Sequence, residues 1–355
     1  MNAAALALLL AASASAQIPS DAAARVMERV DTLVAREAGK DAGDIAALDR
    51  RAEALFARIS PLGWRAAAPL GDAARDLKRP AKSRFFAVVF LSKLRDPAAF
   101  KPLSEVLLDP DQDPDVRLSA AQGLAELDVP AQAARRTFCA ALSQPGLPRP
   151  VADETALALS RLGCDDPSPL EISARAFGPR PGGGDLDFVR LALAGLARSR
   201  GAESARRLLA LAGYFPADGP ARASAIVALE RRKIDYVTGL APEALLLLRE
   251  ALRTESRDPD AMLVLVRFAD AFGPVSDDLL LPLASHPNPE VLAAAAEALA
   301  RRREIRALPP LETVLQGALH DPRFAPRPGR PDPARLLERI EIATETLRRA
   351  RAARK

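Results

Sequence analysis

Apolar and small residues recur at i, i+3, i+4 and i+7 or i+8 in segment after segment of the chain, the stripe of a helix with one buried face. Seven such segments superpose on one another: SRFFAVVFLSKL (83–94), DVRLSAAQGLAEL (115–127), PVADETALALSRL (150–162), DFVRLALAGLARS (187–199), ARASAIVALERR (221–232), DAMLVLVRFADAF (260–272) and EVLAAAAEALARR (290–302). Positions equivalent to Arg117 fall at 84, 152, 189, 222, 262 and 292, in steps of 33, 35, 37, 33, 40 and 30 residues. Between them lie second amphipathic stretches, clearest at 98–108, 204–215, 242–252, 276–285 and 310–319. The joints carry Asp, Pro and Gly, as in DPDQDP, RDPDA and SHPNPE. The repeating unit is helix, turn, helix, short connection, which predicts an all-α, right-handed α-solenoid of seven or eight stacked helical hairpins.

Composition fits that reading. The 355 residues are 49% hydrophobic but only 4% aromatic, and the apolar share is mostly Ala and Leu, which favour helices over sheets.

DPDQDPDVRLSAAQGLAELDVP and SHPNPEVLAAAAEALARR resemble the HEAT-repeat pattern, whose second helix reads D/N-P-x-V-R-x-x-A-A-x-A-L. The resemblance, to bacterial HEAT-like repeats, covers roughly residues 61–320 and is strongest at Arg117 and around Val291. It implies an Asp and Arg ladder running from repeat to repeat. Arg84, Arg117 and Arg222 keep the Arg, whereas Ala152, Val189, Met262 and Leu292 replace it, so apolar packing is expected to carry the stack elsewhere. Helices at 21–38 and 44–59, within residues 17–60, suit an N-terminal cap. A Pro-rich loop and a last helix, within 321–355, suit the C-terminal one.

Residues 1–16 differ in kind. A run of Ala and Leu ends in Ala14-Ser15-Ala16, the small-x-small pattern of a signal peptidase site, although Met1-Asn2 supplies no basic side chain. Cleavage near Ala16 and a periplasmic or secreted location are expected. No segment is apolar and long enough to span a bilayer. Cys139 and Cys164 suit an oxidising compartment, but an antiparallel hairpin sets them about 13 Å apart, at 1.5 Å of rise per residue. A disulfide then needs the chain to fold back after Gly163.

The candidate chemistry is sparse. Asp109, Asp111 and Asp113 have the 1, 3, 5 spacing of a calcium loop, but positions six and twelve are Pro114 and Ala120 instead of Gly and Glu. The stretch reads as a turn with Asp113 or Asp115 capping the next helix and Pro114 in its first turn. Gly182 to Gly184 lack the Gly-Lys-Ser/Thr ending and the preceding strand of a phosphate cradle. His286 and His320 end first helices, where an imidazole can offset the dipole. Asp165-Asp166 and Asp277-Asp278 fall at turns or helix starts. No metal-ligand spacing or nucleophile motif occurs, and neither cofactor nor metal is expected. Helical-repeat DNA glycosylases and lyases of the phycobilisome type are similar in architecture alone. The single Trp, Trp64, is expected in the core, and a net charge of +4 is too small to point to nucleic acid.

The expected role is a non-catalytic scaffold with a protein partner, its contacts on exposed second-helix positions such as Gln122, Arg190, Arg222 and Glu297. A competing reading is an anionic ligand held along an Arg-rich edge where second helices end, including Arg231, Arg232, Arg301 and Arg302. A helical-repeat enzyme comes third.

Overall fold

The computed structural model describes residues 21–37, 42–178, 185–216, 219–254, 258–325 and 331–354. The signal-like residues 1–16 and Gly182 to Gly184 lie outside them. Among the described residues the regular structure is helical throughout, and the chain divides into two compact units between Leu162 and Gly163.

The first unit contains α1 (Asp21–Glu37), α2 (Ala42–Ile59), α3 (Ala67–Arg75), α4 (Ala81–Leu94), α5 (Phe100–Leu108), α6 (Pro114–Glu126), α7 (Ala131–Leu142) and α8 (Arg149–Leu162). First helices α3, α5 and α7 pack side by side in one layer, and second helices α4, α6 and α8 in another. At the start of the stack α1 packs on α2, α3 and α4. Trp64 departs from expectation: it sits on a short 3-10 turn, Ser60–Ala66, and is 63% exposed. Its turn swings outward at Gly63, whose φ of +53° suits glycine.

The second unit contains α9 (Ser168–Phe177), α10 (Leu186–Arg198), α11 (Ala202–Tyr214), α12 (Pro220–Arg231), α13 (Lys233–Gly239), α14 (Ala241–Thr254), α15 (Pro259–Asp270), α16 (Asp277–Leu280), α17 (Pro289–Arg301), α18 (Leu308–Gly317) and α19 (Pro333–Ala352). The two layers recur, with α10, α12, α15, α17 and α19 as successive second helices. Here α19 packs on both α17 and α18, as the second member of a hairpin.

Local chemistry explains the helix starts. Asp113, Asp258, Asn288 and Asp332 each accept a backbone N–H two residues on, and a Pro follows each of them as the first helical residue. The aspartates of DPDQDP therefore make a turn: Asp109 accepts from Asp111 N–H at 3.0 Å and Asp113 from Asp115 N–H at 2.9 Å. Among the described residues no group of three or more His, Cys, Asp or Glu is placed to hold a metal ion.

The core follows the repeat. Leu91, Ala120, Ala121, Leu159, Leu193, Leu229, Leu265 and Leu299 are buried, as are the Arg-replacing Ala152, Val189, Met262 and Leu292. Second helices α4 and α6 approach closely at Gly123, where a Cβ would lie 2.0 Å from the Ser92 hydroxyl.

Arginine persists in the interior for a reason the apolar stripe hides. Arg84 and Arg117 are buried, and each donates to the side-chain oxygen of a glutamine in the next joint, Gln112 and Gln144. Arg117 Nε also donates to Leu107 O at 3.0 Å, and Gln144 Nε2 to Leu108 O at 2.6 Å. These two carbonyls end α5 and have no partner within it. Arg222 repeats the device in the second unit, reaching Glu250 at 3.4 Å.

Neither cysteine is a free thiol, and both side chains are buried. Gly163, with φ of +74°, turns the chain sharply after α8.

Candidate functional site

Two grooves open on the faces made by second helices, one in each unit. The first, about 370 Å³, lies between α4 and α6. Its floor is Phe85, Val116 and Leu118, and its rim carries Lys82, Asp113, Asp115 and the exposed Gln122. The Lys82 ammonium stands 4.8 Å from the Phe85 ring centroid, so it faces the groove over an aromatic surface.

The second groove, about 410 Å³, is bounded by α15, α17 and α19. It is more polar. Glu297 receives both nitrogens of the Arg339 fork, at 2.6 and 2.8 Å, and this hydrogen bonding holds its carboxyl below the usual range. Arg301 spans to Asp270 at 2.6 Å while Arg267 and Glu290 complete the walls. The groove thus brings together Glu297 and Arg301.

The remaining candidates divide sharply by burial. Arg190 and Arg231 are exposed, Arg190 in a loose 3.3 Å pair with Asp187. Arg222, expected as an open contact, is 3% exposed at its side chain and belongs to the interior. Arg232 and Arg302 leave the expected edge in the same way. Arg232 donates to Ser204 Oγ at 2.7 Å, Leu196 O at 3.3 Å, Gly201 O at 3.0 Å and Asp235 at 2.7 Å. Arg302 donates to Ser276 Oγ at 3.1 Å, Ala269 O at 3.2 Å, Asp270 at 3.0 Å and Asp277 at 2.6 Å.

The two arrangements are alike. In each, a serine on the following helical turn donates to a terminal carbonyl of a second helix, Ser204 to Leu196 O and Ser276 to Ala269 O, both at 2.6 Å. The next hairpin's arginine then closes over both atoms. These side chains cap helix C-termini from a neighbouring repeat, where the dipole favours a cation. Helical periodicity alone does not reveal them. The recoverable signal is spacing: the arginine follows its serine by 28 and 26 residues, and the Gln or Glu acceptors follow their arginines by 28, 27 and 28.

The remaining polar candidates serve joints. Asp166 caps Ser168, whose side-chain and backbone hydrogen bonds lower its pKa. Asp278 pairs with Arg306 at 2.9 Å. His286 is not a cationic cap: its Nδ1 accepts the Asn288 N–H at 3.0 Å, and burial, then Arg323, push its pKa down. It performs the task that Asp109, Asp166 and Asp321 perform in other joints.

A depressed imidazole pKa means the fold favours the neutral ring. Its contribution is fully present above the unfolded value near 6.5 and is lost as pH falls from there through the folded value. Asp321 pairs with Arg323 at 2.6 Å beside it, and the hydrogen bond from Arg323 holds the Asp321 carboxyl below its usual range, so it does not titrate in that window. His286→Asn keeps an acceptor that does not titrate. Between pH 7 and pH 5 the urea midpoint of the native protein should fall further than that of His286→Asn. Parallel pH profiles would show that His286 stays uncoupled from folding.

Among the described residues no helix is long and apolar enough to cross a membrane. The chain is an all-α protein built from stacked helical hairpins, an α-solenoid architecture within each unit. No family model matches it, and no curated protein does. Among solved structures, one of human deoxyhypusine hydroxylase in complex with glycerol covers 82% of this chain and 98% of its own at 18% identity, with a TM-score of 0.29.

Proposed function

We propose that this chain is an exported, non-catalytic scaffold of HEAT-like repeats that grips a protein partner along the faces of its second helices. The observation that carries the reading is the pair of grooves, one between α4 and α6 and one among α15, α17 and α19. Packed layers of helices ordinarily close such gaps with side chains. Both grooves instead present mixed apolar and charged walls suited to side chains from another protein.

Export is part of the proposal. It rests on the Ala-Leu run with Ala14-Ser15-Ala16 and is supported by the absence of a free thiol at Cys139 or Cys164. The mature chain should begin at Gln17.

The test is capture from the exported fraction on immobilised mature chain, washed at high salt. Gln122→Arg and Ala294→Arg each place a long cation in one groove, on helices whose cores they leave intact. A protein retained by the native chain should be lost from the double variant, with the circular dichroism spectrum unchanged. Equal retention by both would refute the grooves as the contact.

A further inference from the structure

We propose that the joints closing α10 and α12 dock an acidic, carboxylate-rich segment of a protein partner, through Arg198, Arg200 and Arg231. The inference rests on the reading of the second-helix faces as an interaction surface and adds to it the chemistry of one region.

The geometry begins with the buried Arg232. By donating to Leu196 O, Gly201 O and Ser204 Oγ it clamps the joint after α12 against the joint after α10. From below, the chain at Gly163 closes on the same place: a Cβ there would lie 2.9 Å from the Arg198 carbonyl carbon, and Cys164 N–H donates to Ser199 Oγ at 2.8 Å. Arg198 and Arg200 flank the α10 joint and Arg231 ends α12, so the segments that carry the three arginines are tied to one another. All three are exposed.

The usual account of arginine at a helix C-terminus is compensation of the dipole and its open carbonyls. Here other groups already do this. Gly195 O accepts from Ser199 N–H and Ser199 Oγ, at 2.9 and 2.7 Å. Leu196 O accepts from Ser204 Oγ, Ser199 N–H and Arg232. Carboxylates on the flanking elements are engaged elsewhere: Asp235 with Arg232, Glu230 with Lys233, Glu203 with Arg206 and Arg207, and Asp166 with Ser168. Among the described residues, Arg198, Arg200 and Arg231 are left as three uncompensated forks.

A guanidinium fork matches the two oxygens of a carboxylate. Val227 lies one turn before Arg231 on α12, on the same face, and is partly exposed, so an apolar side chain next to the acids finds a contact. No aromatic side chain is exposed on these joints for insertion into a bilayer, which favours a peptide over a lipid surface.

Fluorescence anisotropy of a labelled oligoglutamate peptide with the mature chain tests this. The native chain should bind with an affinity that falls with salt. Arg198→Gln/Arg200→Gln/Arg231→Gln should bind about tenfold more weakly, as three exposed ion pairs of modest strength predict, with unchanged thermal melting. Arg29→Gln/Arg36→Gln/Arg58→Gln removes equal charge from α1 and α2 and should bind like the native chain. Equal affinity in the first variant, equal loss in the second, or native binding to phosphatidylglycerol vesicles and not to the peptide would each overturn the site. Partner capture that depends on the grooves is read separately, so either idea can fail alone.

Discussion

Arg302→Ala should destabilise the protein by about 3–5 kcal/mol, the cost of leaving a buried charge without its partner. The side chains of Arg302 and Asp277 are each 8% exposed and meet at 2.6 Å. With the guanidinium gone, the Asp277 carboxylate stays out of water at the start of α16, and Ala269 O and Ser276 lose a donor. Arg301→Ala, one residue earlier, should cost less than about 1 kcal/mol, since that side chain is 60% exposed and its pair with Asp270 is screened. Urea denaturation of the two variants makes the comparison. Adding Asp277→Asn to Arg302→Ala should restore part of the loss, because the stranded charge is then removed. Similar small losses in both single variants would mean that the Arg302 cluster does not hold the second unit together.

Arg117→Leu carries the second large effect, about 2–3 kcal/mol, from buried groups left unsatisfied. Arg117 is 3% exposed, and burial lowers its pKa. Its removal orphans Leu107 O and the Gln144 oxygen at the α5 terminus. Gln144→Ala should couple to it: the double variant should be less destabilised than the sum of the single ones, since the two side chains bond each other and cap adjacent carbonyls, Leu107 O and Leu108 O. Additive losses in the denaturation midpoint would separate the two side chains and remove the cap.

These arginines also mark how far the sequence could be read. The seven second helices were legible because each buries one stripe, and the structure starts and ends them within two residues of the periodic segments. The starts were legible through Asp-Pro and Asn-Pro, since capping is local chemistry. Burial of Arg222, Arg232 and Arg302 was not. A charged residue on a helix reads as solvated, and only the approach of the neighbouring hairpin gives its guanidinium acceptors, a carboxylate for Arg222 and carbonyls with carboxylates for Arg232 and Arg302. The α13 helix is not legible in the pattern because its seven residues are too few to show a period. Trp64 reads as core from the sequence for a related reason: the Gly63 turn, and not the apolar pattern, decides where its ring goes.

The candidate surface was legible in part. Gln122 and Glu297 read from the sequence as open second-helix positions, and each lines a groove. The grooves themselves depend on the spacing of α4 from α6 and of α15 from α17 and α19, which no single segment encodes. The Arg-rich edge was drawn too wide. Its buried members act as clamps: Arg232 ties the end of α12 to the joint after α10, and Arg302 ties the end of α17 to the joint after α15.

Hydrogen exchange on the mature chain, alone and with a partner recovered at high salt, tests the scaffold most directly. Binding should slow exchange in the second helices α4 and α6 or α15, α17 and α19, and leave the first helices α3, α5, α11 and α14 unchanged. Protection confined to the first helices would contradict the account.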